Sequence, residues 1–473
     1  MRLLSTHASR SMVTGLLLLS LAGCAAFSLD GGFAPVAKVT QERIGKDVRW
    51  VKTDTDRDAA AGRTRELLGK PLSADDAVQI ALFNNRGLQA SFAELGVGEA
   101  ALVQAGRLPN PHLTLVRARN GNEYTIEQAL TLNILSLITM PMAHAMEQRQ
   151  FEATQRSVTV EVLGLAAETR KAYIMAVSAE ENVRYMAKVK TVAESSAELA
   201  RRMASVGNWN KLMQAREQGF YADAALNQAR AFQNQVATRE KLTRLLGLWG
   251  ADIQYQLPER LPDLPSTVDE LSNVEQQALN QRLDIQSRQL ETAAMAKSLG
   301  LSKATRFINA LEFGPKRILE GQRSDPYRKG YELSLEIPIF DFGAAKVAKA
   351  EAIYMQSVNR LAEAAVNARS EVREAYQNYR VTYDMAKHYR DEIVPIRKRI
   401  ADENLLRYNG MLIGVFDLLA DARAQITSVN GYIDALRDFW LAKADLDLAM
   451  IGKPKMSAMT SGSMASADAP MGH

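Results

Sequence analysis

Apolar residues recur along this chain with two different periods, and the order of the two is written twice. Tyr331, Leu333, Leu335, Ile337 and Ile339 alternate with Glu332, Ser334, Glu336 and Pro338. Successive side chains of a strand point to opposite faces, so this spacing predicts a strand with one apolar and one acidic face. A weaker counterpart runs from Tyr124 to about Leu137. There Ile126, Gln128, Leu130, Leu132 and Ile134 share a face opposite Thr125, Glu127, Thr131 and Asn133. Preceding strands are expected at 112–118 and 307–313, with a short polar loop at 119–123 and a longer one from Gly314 to Gly330. A half-buried sheet in a water-soluble α+β protein would show the same alternation.

Between these segments the period is helical. From about Pro141 to Ser205 nothing stops a helix. Its distal part carries Tyr185, Val189, Val192, Ser196, Leu199, Met203 and Val206 at spacings of three and four. After a turn at 206–210, Leu212, Ala215, Gly219, Ala222, Leu226, Ala229, Gln233 and Val236 continue the pattern back. The second half repeats it. Val347, Ala350, Tyr354, Ser357, Leu361, Ala364 and Ala368 lead out, and Leu419, Ala422, Ile426, Val429, Ile433, Leu436 and Trp440 return. Pro395 is expected to kink the outgoing helix. Sustained seams of this kind predict coiled-coil hairpins. Such narrow seams leave apolar positions unburied in one chain, which predicts an oligomer. A soluble coiled-coil scaffold is the alternative from helices alone.

Self-comparison supports tandem repeats. Ala81-Leu82 matches Ala278-Leu279, Leu88-Gln89 matches Ile285-Gln286, and Glu94 matches Glu291. Ala215-Arg216-Glu217-Gln218 matches Ala422-Arg423-Ala424-Gln425, and the halves close on Leu246-Gly247 and Ile451-Gly452. Pro258, Pro262 and Pro265 mark the joint. Each half reads helix, strand, strand, long helix, return helix, so the expected class is mainly α with a small β part. Four strands cannot close a barrel alone, and an open edge in lipid leaves backbone groups unsatisfied, so the strands would have to be pooled between chains.

The beginning of the chain reads as a targeting segment. Arg2 and Arg10 precede a short apolar run ending Leu21-Ala22-Gly23-Cys24. That run is too short to span a bilayer as a helix. The ending resembles a bacterial lipobox, which implies cleavage after residue 23 and a covalent lipid, palmitate included, on Cys24, the sole cysteine. Ala25 rather than Asp follows it, which resembles the outer-membrane sorting state. An ordinary secretory signal with an incidental cysteine is the competing reading.

Composition narrows the function. Net charge is +4 with acids and bases intermixed, which is no footprint for nucleic acid. The five histidines, His7, His112, His144, His388 and His473, are too dispersed for a zinc spacing. Gly96-Val97-Gly98 lies within a helical pattern with no phosphate loop around it. No enzyme and no cofactor are expected.

Three junctions carry a family resemblance. Gln104-Ala105-Gly106-Arg107-Leu108-Pro109-Asn110-Pro111 resembles the helix-to-strand junction of TolC-family outer-membrane efflux proteins. Ile337-Pro338-Ile339-Phe340-Asp341-Phe342-Gly343 resembles their strand-to-helix junction, and Arg407-Tyr408-Asn409-Gly410 with Leu418-Leu419 their second hairpin tip. The similarity covers roughly 73–452 and, with Cys24, is nearest the lipidated members. It implies a homotrimer whose strands form one twelve-stranded transmembrane β-barrel and whose helices form a periplasmic tunnel. It further implies a periplasmic adaptor and an inner-membrane pump as partners, and passive export of small solutes, drugs or metal ions. A lipid-anchored periplasmic scaffold without a pore is the alternative. The expected organisation is a signal peptide at 1–23, an N-terminal anchor segment at 24–72, repeats at 73–252 and 266–452 joined by a linker at 253–265, and a tail at 453–473.

A duct needs residues at its docking surface, gate and lumen. Gly207, Asn208 and Trp209 at one tip, and Gly410, Met411 and Leu412 at the other, are candidate adaptor-docking residues, because an exposed apolar turn marks a partner site. A buried turn contact is the alternative. Asp417 and Asp421, one helical turn apart, are the candidate gate, since in a trimer they would ring the tunnel mouth; a solvated acidic face would look the same. Glu332 and Glu336 are candidates for the barrel lumen, or solubilising charges. Met456, Met459, Met464, Met471 and His473 in the tail offer soft ligands suited to Cu(I), or are incidental to a polar tail.

Overall fold

The computed structural model describes residues 26–452. Two short helices, α1 (Ala34–Ile44) and α2 (Asp54–Leu68), lie ahead of the first repeat. That repeat opens with α3 (Ala74–Asn84) and α4 (Arg86–Ala105), then β1 (His112–Asn120) and β2 (Glu123–Asn133), then α5 (Ile134–Ser205) and α6 (Lys211–Leu246). The second repeat has α7 (Val274–Gln281), α8 (Leu283–Ala304), β3 (Ala310–Gly321), β4 (Arg328–Glu336) and α9 (Ala344–His388). A π-turn over Tyr389–Ile393 leads into α10 (Val394–Asn409), and α11 (Val415–Ile451) returns. The duplication extends to backbone detail. Asn85, between α3 and α4, and Arg282, between α7 and α8, hold nearly the same extended conformation (φ −65°, ψ 116° and φ −67°, ψ 121°).

The 72 residues of α5 form one helix, about 108 Å long at ~1.5 Å per residue. It begins at Ile134 rather than near Pro141, because Asn133 caps it: its side-chain oxygen accepts from the Ser136 amide at 2.8 Å. Residues 134–137, expected on a strand, are thus helical, and β2 ends at Asn133. In the second repeat β4 ends at Glu336, so Ile337 and Ile339 belong to the turn that follows. There Gly343 has φ +69°, and a Cβ would overlap the Arg306 carbonyl, which explains the glycine after Asp341-Phe342. Pro395 lies just beyond the π-turn, where the helix ladder is already interrupted.

The long loop expected from Gly314 to Gly330 is mostly strand. β3 starts at Ala310, runs through Gly314-Pro315 and ends at Gly321, leaving only 322–327 as loop. Gly314 is required there, since a Cβ would overlap the backbone of Leu130 on β2. The four strands form one antiparallel sheet in the order β1-β2-β3-β4. β2 pairs with β3, so the two repeats meet in the sheet.

The main core lies midway along the long helices, where Tyr173, Val177, Leu242, Tyr379, Phe439 and Leu446 pack together. The inter-repeat linker straps this core. Carbonyls of Pro262, Leu264 and Pro265 accept from Trp440, Arg390 and Tyr383 at 3.0, 3.1 and 3.2 Å, and those of Tyr255 and Glu259 accept from Arg239 and Arg184. Donors from both hairpins thus converge on one segment. Burial pushes the Tyr173 hydroxyl pKa up to about 12, and that hydroxyl donates to Leu72 O at 2.9 Å, fastening the N-terminal segment to α5.

Helix packing corrects the expected seam on the return helix of the first hairpin and bears out part of that on the outgoing one. Along α6 Glu217, Ala224, Ala231 and Thr238 are buried at heptad spacing, joined near its end by Leu242, Thr243 and Leu246. The expected residues lie on another face, with Leu212, Leu226 and Val236 at 59%, 49% and 47% exposure. On the distal part of α5 the expected Val189 and Ser196 are buried, beside Ala193 and Ala200, while the expected Val192 and Leu199 are exposed. Small side chains let the two helices approach closely; the larger apolar ones are left facing outward.

Candidate functional site

Cross-strand register assigns every sheet residue to a face. Leu113 pairs with Leu130, Leu132 with Phe313, and Phe313 with Leu333, placing these side chains together. Leu311 with Leu335, and Pro315 with Tyr331, extend the same face. Tyr331 stacks on Phe313 with ring centroids 5.7 Å apart. Beyond the helical end of the strands Phe307, Phe340 and Phe342 are exposed as well.

The opposite face is polar and internally paired. Glu332 and Glu336 stand there with Glu127 and Glu312. Lys316 bridges Glu127 at 3.0 Å and Glu332 at 3.6 Å, and Thr131 donates to Glu312 at 3.4 Å. The sheet therefore has one face suited to hydrocarbon and one to water. β1 and β4 each pair on one side only, so both edges carry unpaired backbone groups.

The two hairpin tips lie at the other end of the long helices. Gly207 takes φ +79° in the first turn, and the Asn208 and Trp209 amides both donate to Met203 O. Asn210 caps α6 through the Met213 amide at 2.8 Å. Trp209 is half-buried, while Gly207 and Asn208 are exposed. In the second turn Met411 has a positive φ of 59° and, with Leu412, is almost fully exposed (94% and 77%). Gly410 precedes them, and Leu405 and Leu406 add to the apolar surface.

Asp417 is exposed in the first turn of α11, where the helix dipole favours an anion. Asp421 is half-buried and accepts from the Asn404 side chain across the hairpin. The two share a face but differ in setting. Two residues after Asp421, an ion pair that residue spacing did not suggest joins the hairpins: Arg423 meets the fully buried Glu217 at 2.5 Å, and Ser196 donates to the same carboxylate at 2.6 Å. The only sequence signal was a carboxylate on the buried heptad position of an otherwise small-residue seam.

Among the described residues no cluster of His, Cys, Asp and Glu is arranged to hold a metal ion. No described helix is long and apolar enough to cross a membrane. Cys24 and the tail residues Met456, Met459, Met464, Met471 and His473 lie outside the described residues.

No family model matches the chain, and no curated protein matches it in sequence. Solved structures match its fold. CusC, studied for folding and transmembrane channel formation, is 17% identical over 80% of this chain and 92% of its own, with a TM-score of 0.67. VceC, an outer membrane protein of Vibrio cholerae, is 13% identical over 80% of this chain and 95% of its own, with a TM-score of 0.67. The MtrE outer membrane channel of Neisseria gonorrhoeae, in its open state, is 17% identical over 80% and 88%, with a TM-score of 0.65. The chain has the fold of these outer-membrane channels.

Proposed function

We propose that the chain belongs to the TolC family and is the outer-membrane exit duct of a tripartite efflux system. The supporting observation is the sheet: apolar on one face, charged on the other, and open at both edges. In hydrocarbon those edges must be closed, and three copies would close them in a twelve-stranded barrel with Glu332 and Glu336 toward the lumen. The hairpins would then form the periplasmic tunnel, and the exposed apolar faces of α5 and α6 would meet neighbouring chains. Such a duct performs no bond chemistry. It conducts small solutes delivered by an inner-membrane pump through a periplasmic adaptor.

The exposed tips, Gly207 to Trp209 and Gly410 to Leu412, suit adaptor docking. Asp417 and Asp421 would ring the mouth, where Asp421 fastens the second hairpin through Asn404 in the closed state and the carboxylates disfavour anions. Cys24 would carry the lipid that anchors the N-terminal segment; the mass of the mature N-terminus, compared with a Cys24→Ser variant, tests it. The methionines and histidine of the tail point to copper as a cargo. Deleting 455–473 should lower copper tolerance, and unchanged tolerance removes the tail from the mechanism.

Conductance in planar bilayers tests the duct itself. The wild-type trimer should conduct weakly and the Asp417→Ala/Asp421→Ala variant strongly. A detergent-stable trimer that conducts in neither form would leave a scaffold rather than a duct.

A further inference from the structure

The alternation that separates apolar from polar positions also sorts the charges of the sheet. On the apolar face, moving away from the helices, the row Leu132–Phe313–Leu333 gives way to Leu115–Gln128–Arg317–Lys329. Arg117–Ile126–Leu319 follows, and Arg119–Tyr124 comes last. The far end of the apolar face is therefore rimmed by four exposed cations: Arg117, Arg119, Arg317 and Lys329. All six carboxylates of the strands, Glu123, Glu127, Glu312, Glu320, Glu332 and Glu336, stand on the other face. Among the described residues no carboxylate lies within ion-pair distance of any of the four cations, whereas Lys316 and Arg328 on the polar face are both paired.

Aromatic rings lie under three of these cations. Arg117 and Arg119 lie over the ring of Tyr124, at 5.7 and 5.4 Å, and Arg317 lies over Tyr327 at 5.1 Å. Arg317 also donates to the Gln128 side chain at 2.5 Å, and Arg119 to the Gly121 carbonyl at 2.7 Å, so both keep free donors.

We propose that this rim binds phosphate groups on anionic lipid headgroups in the leaflet farther from the helices. A guanidinium fork matches phosphate oxygens in pairs, which an isolated surface charge does not. The ligand is a lipid rather than free phosphate because the cations are continuous with the apolar band on the same face. An anion seated there has hydrocarbon beside it, and an acylated phosphate satisfies both surfaces. The inference rests on the barrel reading above.

The test uses full-length protein inserted into phosphatidylcholine vesicles containing lipid A, a diphosphorylated glycolipid. After mild detergent extraction, native mass spectrometry counts the lipid kept on the trimer. The variant Arg117→Gln/Arg119→Gln/Arg317→Gln/Lys329→Gln should keep roughly tenfold less lipid A, the loss expected when charge-assisted contacts go, and as much phosphatidylcholine as wild type. A Lys316→Gln/Arg328→Gln variant, altered on the other face, should match wild type, and persistence of the detergent-stable trimer shows that each has folded. Equal retention by the rim variant, or equal loss by the control, overturns the inference. A wild-type trimer that inserts but keeps no lipid A removes the rim alone; a chain that never inserts removes the barrel reading with it.

Discussion

Glu217 and Arg423 are 206 positions apart and meet at 2.5 Å, joining the return helix of the first hairpin to that of the second. The carboxylate is fully buried, and the guanidinium lies over the Phe220 ring at 4.3 Å. Removing Arg423 leaves the buried Glu217 carboxylate with only the Ser196 hydroxyl as a partner, and breaking a buried ion pair in this way typically costs about 3–5 kcal/mol. Arg423→Ala should therefore lower the urea midpoint of the protein and expose the tips to limited proteolysis. Glu217→Leu/Arg423→Met, which removes both charges, should recover most of the loss. Equal destabilisation by the single and double variants would show that packing, not charge, holds the hairpins together.

Gly314 fixes the approach of β3 to β2, where a side chain would overlap the Leu130 backbone. The neighbouring Pro315 lacks an amide proton, so this stretch of the ladder has no spare hydrogen bond with which to adjust. Gly314→Val should separate the repeats within the sheet and abolish the detergent-stable trimer, while circular dichroism retains most of the helical signal. Gly330→Val on β4, where a Cβ meets nothing within 4 Å, is the control and should leave the trimer intact.

The exposed stripe on α6 gives a separate test of assembly. Leu226→Asp/Val236→Asp places two charges on positions that are exposed in the single chain. A monomer would tolerate them, since surface substitutions usually change stability by less than about 0.5 kcal/mol. If neighbouring chains cover this face, the trimer should dissociate in detergent. A trimer unchanged in size-exclusion light scattering would place the contact elsewhere.

These cases show what the sequence made legible. Alternation around Tyr331 identified a two-faced strand, because period two is a property of a single segment. The repeat was visible because matching residues recur in the same order, and Asn85 and Arg282 hold equivalent bends. Seam assignment on α6 failed for a physical reason: periodicity favours bulky apolar residues, while close helix contact selects Ala224, Ala231 and Thr238. Gly314-Pro315 read as a loop because both residues are poor strand formers, and only the β2 backbone beside them explains their place. The Glu217–Arg423 pair lay beyond local reading, since its partners belong to different repeats.

Glu181 gives a pH test of the central strap. It is half-buried on α5 and accepts from the Leu261 amide at 3.4 Å. Burial raises its pKa above the ordinary 4.5, more than that amide and the nearby Arg184 and Arg260 lower it. The folded state therefore binds this proton more tightly than the unfolded chain does. Its stabilising contribution is fully present below the unfolded pKa and is lost as pH rises through the folded one. Glutamine keeps an acceptor for Leu261 and never charges. Glu181→Gln should thus raise the thermal midpoint relative to wild type at pH 7, and the two should converge near pH 4, as thermal melts in detergent across that range would show. A gap that stays constant with pH would mean that shape, rather than the buried charge, sets the strain at this contact.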